Sequence, residues 1–224
     1  MRLIQAEKIG QNKLPEHFRL LVSGPSGCGK TTWIENLIFS NRISKPFTRI
    51  YYIYPSDFET PPVDWDQWDS QCVTFVNFIP DLKFFHRIEA DSLVVFDDNF
   101  EEVANSPLIS KVMRIHSRRR FSVILVCQMF FERAKYSRVI KNQLNGLVMF
   151  RNFIDVKINH NIARQLGVLK AFKKAEDYVS NTKYDPVVIL SPEICLNTKF
   201  RVFTNYLSET SLTDSRSFQK CFIE

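Results

Sequence analysis

Three observations predict an α/β domain with a mostly parallel central sheet flanked by helices. Apolar runs alternate with segments of helical periodicity along the 224 residues, the pattern of a sheet covered by helices. Several of those runs, such as SLVVFD at 92–97 and FSVILVC at 121–127, are apolar almost throughout, as strands buried on both faces are. The first run breaks into a glycine-rich turn and restarts as an apolar helix.

Taken in order, FRLLV at 18–22 reads as a short buried strand. Trp33, Ile34, Leu37 and Ile38 then recur at the spacing of one helix face. RIYYIY at 49–54 is a second strand, stopped by Pro55, and the polar stretch from 56 to 71 reads as a surface loop. Its Trp65 and Trp68 either dock a partner or pack against the domain. CVTFVNFI at 72–79 is a third strand and 81–88 a short helix. The strand at 92–97 leads into one helix running to about Arg119, then come the strand at 121–127 and another, LVMF, at 147–150. Residues 156–166 and 171–180 read as helices, and 186–190 and 200–206 as late strands at the sheet edge. From Ser208 the chain is rich in Ser and Thr, which predicts a mobile tail over 208–224 beyond a single domain over 1–207.

Composition narrows the class. A hydrophobic content of 45% supports a substantial core. No stretch approaches the roughly 20 apolar residues that span a bilayer, and the N-terminal residues show no apolar leader segment. Cys28, Cys72, Cys127, Cys195 and Cys221 are odd in number and never spaced C-x-x-C, which predicts reduced, intracellular thiols and no zinc site. His17, His86, His116 and His160 show no ligand spacing. The formal charge of +6 is compatible with nucleic acid without requiring it.

The glycine-rich turn carries the chemistry. Gly24, Gly29, Lys30 and Thr31 satisfy the phosphate-loop pattern G-x-x-x-x-G-K-S/T, in the strand–loop–helix context that the pattern requires. Glycines let successive N–H groups face one anion, and the helix that follows aims its positive end at the same point. The nucleotide-binding set is Gly24, Pro25, Ser26, Gly27, Cys28, Gly29, Lys30, Thr31 and Thr32. Lys30 is expected to reach the β- and γ-phosphates and the Thr31 hydroxyl to ligate Mg²⁺. The bland alternative is a glycine turn that binds nothing.

Downstream, Asp97 and Asp98 end a buried strand, where carboxylates of a parallel sheet meet the ligand crevice. Asp97 is the expected Mg²⁺ ligand and Asp98 the group that orients or deprotonates water; otherwise the pair is a solvated acidic turn. Two strand-like runs separate this strand from the loop strand, which suggests a further strand lying between them in the sheet, the RecA-like arrangement. Gln128 ends the next strand, either as a contact to the γ-phosphate or lytic water or as a plain strand-end hydrogen bond. Arg114, Arg118, Arg119 and Arg120 form the densest basic cluster. An arginine there acts across a subunit interface on the γ-phosphate, contacts nucleic-acid phosphates, or merely complements a helix end.

GPSGCGKTT, SLVVFDD, the basic segment and FSVILVCQ, in that order over 18–150, resemble viral genome-packaging ATPases of the poxvirus-type branch of the FtsK–HerA superfamily. Relatives occur in Maverick/Polinton-like and adintovirus-like elements and in virophages. The resemblance implies a RecA-like P-loop NTPase fold, Mg²⁺-dependent ATP hydrolysis, and a homo-oligomeric ring that drives double-stranded DNA into a preformed capsid, with a capsid or portal-vertex protein as partner. It implies action in the host nucleus or a cytoplasmic virus factory, or association with the virion. By that resemblance Lys30, Asp98, Gln128 and one of Arg118, Arg119 and Arg120 are catalytic, and Thr31 and Asp97 hold the metal. The wider superfamily often has Glu where Asp98 stands. Two other classes use the same loop: a nucleoside or nucleotide kinase, and an assembly protein gated by nucleotide.

Overall fold

A computed structural model describes residues 3–5, 13–40, 42–57, 60–61, 72–98, 100–128, 135–152, 156–182, 184–195, 201–207 and 220–222. Among the described residues, ten strands form one sheet: β1 (Leu3–Gln5), β2 (Arg19–Ser23), β3 (Ile50–Ile53), β4 (Val73–Val76), β5 (Leu93–Phe96), β6 (Ser122–Cys127), β7 (Gly146–Met149), β8 (Val187–Leu190), β9 (Arg201–Thr204) and β10 (Lys220–Phe222). The helices are α1 (Lys30–Phe39), α2 (Leu82–Arg87), α3 (Phe100–Asn105), α4 (Pro107–Arg119), α5 (Ser137–Lys141), α6 (Val156–Gln165), α7 (Leu169–Val179) and α8 (Pro192–Cys195).

The sheet runs β1-β10-β9-β8-β7-β2-β6-β5-β3-β4. From β4 to β7 every neighbouring pair is parallel, and from β7 outward every pair is antiparallel. Strand β6 lies between β2 and β5, as the RecA-like reading requires. Side chains alternate across the sheet. Leu20 and Val22 join Trp33, Ile34 and Leu37 of α1 on one face. Leu21, Val94 and Leu125 join Val112 and Met113 of α4 and Phe172 of α7 on the other. Strands β2, β5 and β6 are buried nearly throughout, which is why they carry no polar alternation.

Several expectations are corrected. The one helix expected between the strand at 92–97 and about Arg119 is two helices, α3 and α4. Ser106 Oγ accepts from Leu108 N at 3.1 Å, and Pro107 opens α4, a position where its missing N–H has no intrahelical partner to lose. The late strands are not the edge, because β10 and β1 extend the sheet beyond them. The expected mobile tail is likewise interrupted: Lys220–Phe222 returns as β10, paired antiparallel with β9. Trp65, Trp68 and residues 208–219 lie outside the described residues. The short helices α5 and α8 were not expected.

Candidate functional site

Strand β2 delivers the loop to the middle of the sheet, with Gly24 N donating to the Cys127 carbonyl of β6 at 3.2 Å. Space fixes Gly24: a Cβ there would stand 2.6 Å from Phe150 Cβ and 2.8 Å from Cys28 Sγ. Conformation fixes Gly27, whose φ of 70° is left-handed. Helix α1 starts on Gly29 without a side-chain cap and without an acid in its first turn, so its leading N–H groups and dipole face the loop. Lys30 Nζ bridges the loop, donating to the carbonyls of Gly24 at 2.8 Å and Pro25 at 3.0 Å. Ser26, Gly27, Gly29, Lys30, Thr31 and Thr32 line a cavity of about 790 Å³. Cys28 is turned into the core and offers that cavity no side chain.

The acidic pair sits across the same cavity. Asp97 is only 5% exposed, and Tyr52 of β3 donates its hydroxyl to Asp97 Oδ2. The Thr31 hydroxyl lies beside the pair, where it can donate to the Tyr52 oxygen or to the Asp97 carboxylate. Burial pushes the Asp97 carboxyl above the usual carboxylate range, although the Tyr52 hydrogen bond opposes it; the Asp98 charge adds to the rise, and Lys30 and Thr31 work against it. Burial, then the Asp97 charge, pushes the Tyr52 phenol up as well. Asp98 is exposed with a left-handed φ of 53°, and Gln128 Nε2 donates to its Oδ1 at 3.0 Å. The ends of β5 and β6 thus hold the two carboxylates in different states, one buried and bound to a phenol, the other exposed and bound to an amide.

These residues fit a hard divalent cation. Thr31 and Asp97 offer oxygen donors side by side, and Mg²⁺ takes one or two carboxylates with water and substrate phosphates. A buried carboxylate whose ionisation is resisted mainly by desolvation is one that a cation would stabilise.

The opposite wall was missed by sequence reasoning. Tyr184, Asp185 and Pro186 from the α7–β8 connection, and Asn205, Tyr206 and Leu207 after β9, complete the cavity. Because β8 runs antiparallel to β7, its first residue, Val187, pairs with Met149 at the edge where β2 and β7 end. Only the topology brings that connection to the loop; Tyr52 needed the β3–β5 pairing in the same way.

The arginines part company with this site. Helix α4 returns from the end of β5 to the start of β6, so Arg118, Arg119 and Arg120 stand at the opposite edge of the sheet from the loop. The side chains of Arg118 and Arg119 lie outside the description. Arg120, with φ 60°, accepts Asp91 N at its carbonyl at 2.6 Å and places its guanidinium 3.9 Å from Glu16. His17 and the carboxylates of Glu16 and Asp91 gather there within 4.8 Å, with Lys45 Nζ 2.6 Å from Asp91. Arg114 Nε donates to the Ser110 carbonyl at 3.1 Å.

With this geometry in hand, known proteins fall into place. The Rad17 P-loop domain family matches residues 4–103, which contain the loop, β5 and both aspartates but not Gln128. No curated protein matches the sequence. Among solved structures, the genome packaging NTPase B204 from Sulfolobus turreted icosahedral virus 2, in complex with sulfate, is 12% identical, with 84% of this chain and 96% of that one covered at a TM-score of 0.54. Flagellar accessory protein FlaH from Methanocaldococcus jannaschii is 10% identical, with 88% and 89% covered and a TM-score of 0.48. No helix among the described residues is long and apolar enough to cross a membrane. The chain has the α/β fold of a RecA-like P-loop NTPase, with its phosphate loop on the central strand and its acidic pair two strands away.

Proposed function

We propose that this protein is a Mg²⁺-dependent ATPase of the poxvirus-type FtsK–HerA branch, a ring-forming motor that drives viral double-stranded DNA into a preformed capsid. The observation that carries hydrolysis is the Asp98–Gln128 hydrogen bond beside the phosphate loop. It presents an exposed carboxylate, oriented by an amide, at the mouth of the cavity that Lys30 and Thr31 line. When bound, Mg²⁺ neutralises charge on the phosphates. Asp97 and Thr31 would hold it, Lys30 would bind phosphate oxygens, and Asp98 would orient water and accept its proton, giving ADP and phosphate. The motor reading draws support from the resemblance over 18–150 and from a fold like that of B204, itself named a genome packaging NTPase. Action in the host nucleus or a virus factory, docking at a capsid or portal vertex, and the one-domain organisation belong to the same reading.

ATP turnover measured with and without double-stranded DNA, beside a panel of nucleosides as phosphate acceptors, tests it. Turnover stimulated by DNA and abolished by Lys30→Ala is expected. Phosphoryl transfer to a nucleoside would make the protein a kinase, and tight ATP binding without turnover would make it a nucleotide-gated assembly factor.

A further inference from the structure

The cavity exceeds what a triphosphate alone needs, and its size suits a whole nucleotide. Its far wall carries an aromatic side chain outside the core. Tyr184 is 61% exposed, yet its ring lies against the phosphate loop: a Cβ at Gly29 would meet Tyr184 Cδ1 at 3.2 Å. Two anchors hold the connection that bears it. Arg151, just past β7, donates to the Ser180 carbonyl, and β8 pairs with β7 from Val187 onward. Pro186 fixes φ directly before that strand. The ring is therefore held at the mouth of the phosphate site by the strand next to the loop strand. Polar Asn36 of α1 and Asn205 after β9 line the same cavity, so base edges entering it would meet hydrogen-bonding groups.

We propose that Tyr184 is the stacking platform for the nucleoside base, which makes the antiparallel half of the sheet the nucleoside-binding half of the site. This rests on the nucleotide reading given above and adds the element that separates a nucleoside triphosphate from a bare polyphosphate. An aromatic face accepts any base, because every base has a π-face. The platform therefore raises affinity for nucleotides as a class.

The test is a pair of titrations on the full-length chain with Mg²⁺ present, one with ATP and one with inorganic tripolyphosphate, for wild type, Tyr184→Ala, Tyr184→Phe and Lys30→Ala. Tyr184→Ala should weaken ATP on the order of tenfold and leave tripolyphosphate unchanged, and Tyr184→Phe should restore ATP. Equal weakening of both ligands would mean that the ring only shapes the loop at Gly29, and unchanged ATP affinity would mean that it touches no base; either result overturns the proposal while leaving the nucleotide site standing. Wild type that binds neither ligand, or Lys30→Ala that binds both as wild type does, overturns the nucleotide reading itself and this proposal with it.

Discussion

Alanine at Gly24 collides with two atoms, and the nearer of them cannot step aside. Its Cβ would stand 2.6 Å from Phe150 Cβ and 2.8 Å from Cys28 Sγ, against the roughly 3.5–4.0 Å at which carbon atoms rest. Phe150 Cβ is not the end of a flexible side chain. Its residue is buried, and its amide donates to the Ser23 carbonyl at 2.8 Å. Relief requires the loop to move by about 1 Å relative to β7. Overpacking of this kind costs about 1–3 kcal/mol, which lowers Tm by about 2–12 °C in a chain of this size. A displacement near 1 Å at a positioning element costs on the order of 10²-fold in turnover. Gly27→Ala is the internal control: nothing lies within 4 Å of its Cβ, so only the left-handed φ opposes it, about 1–2 kcal/mol. Asn tolerates that conformation, so Gly27→Asn should recover most of the loss whereas Gly24→Asn should not. Thermal melts and ATP titration of the four variants measure this. Gly24→Ala that melts and binds like wild type would refute the claim that space, rather than backbone freedom, sets this position.

Asp97 and Asp98 should separate. The folded-state carboxyl of Asp97 lies above its unfolded value, so its favourable contribution is present below about pH 3.9 and is lost as pH rises through the folded value. Asp97→Asn should therefore melt above wild type at pH 7 in EDTA, by a margin that narrows on acidification, while losing Mg²⁺-dependent binding; a lower melt at pH 7 in EDTA would contradict the burial argument. Asp98→Asn should keep binding and slow hydrolysis by about 10²-fold or more, which single-turnover assays resolve. Tyr52→Phe, which removes the hydroxyl whose hydrogen bond Asp97 accepts, should shift the Mg²⁺ concentration needed for ATP binding without altering Mg²⁺-free stability by more than about 3 kcal/mol. For the arginines, Arg120→Ala should leave turnover of the isolated chain intact and flatten the salt dependence of DNA binding by about one counterion; if one of Arg118 and Arg119 acts on a neighbour's phosphate loop, its alanine variant mixed with Lys30→Ala should regain turnover.

Buried strands were legible because both faces are covered: LLV, LVVF and SVILVC leave no polar alternation to misread. The loop was legible because its chemistry is local, with every residue from Gly24 to Thr32 adjacent in sequence. The α3–α4 break hid behind one continuous helical periodicity, although Ser106-Pro107 marks it. Tyr52 and Tyr184 carried no signal at all. One sits in a strand among other aromatics and the other follows a helix, and each reaches the cavity through pairings made across the sheet. The arginine cluster was legible as a basic patch, but only the direction of α4 shows that it stands at the opposite ends of the strands from the loop of its own chain.

The central place of β2 has a consequence for how the protein is born. Phe18 bonds to a residue 104 positions further along the chain, and Arg19 to one 126 positions away. The strand that bears the phosphate loop thus has no sheet partner until the chain through Cys127 has left the ribosome, and the wall at Tyr184 follows later still. Such distant pairings form slowly. A nucleotide that recognises only the closed arrangement would act as a folding ligand, adding about 2.7 kcal/mol when present at a hundred times its Kd, so the cell's own triphosphate pool would draw nascent chains toward the finished sheet.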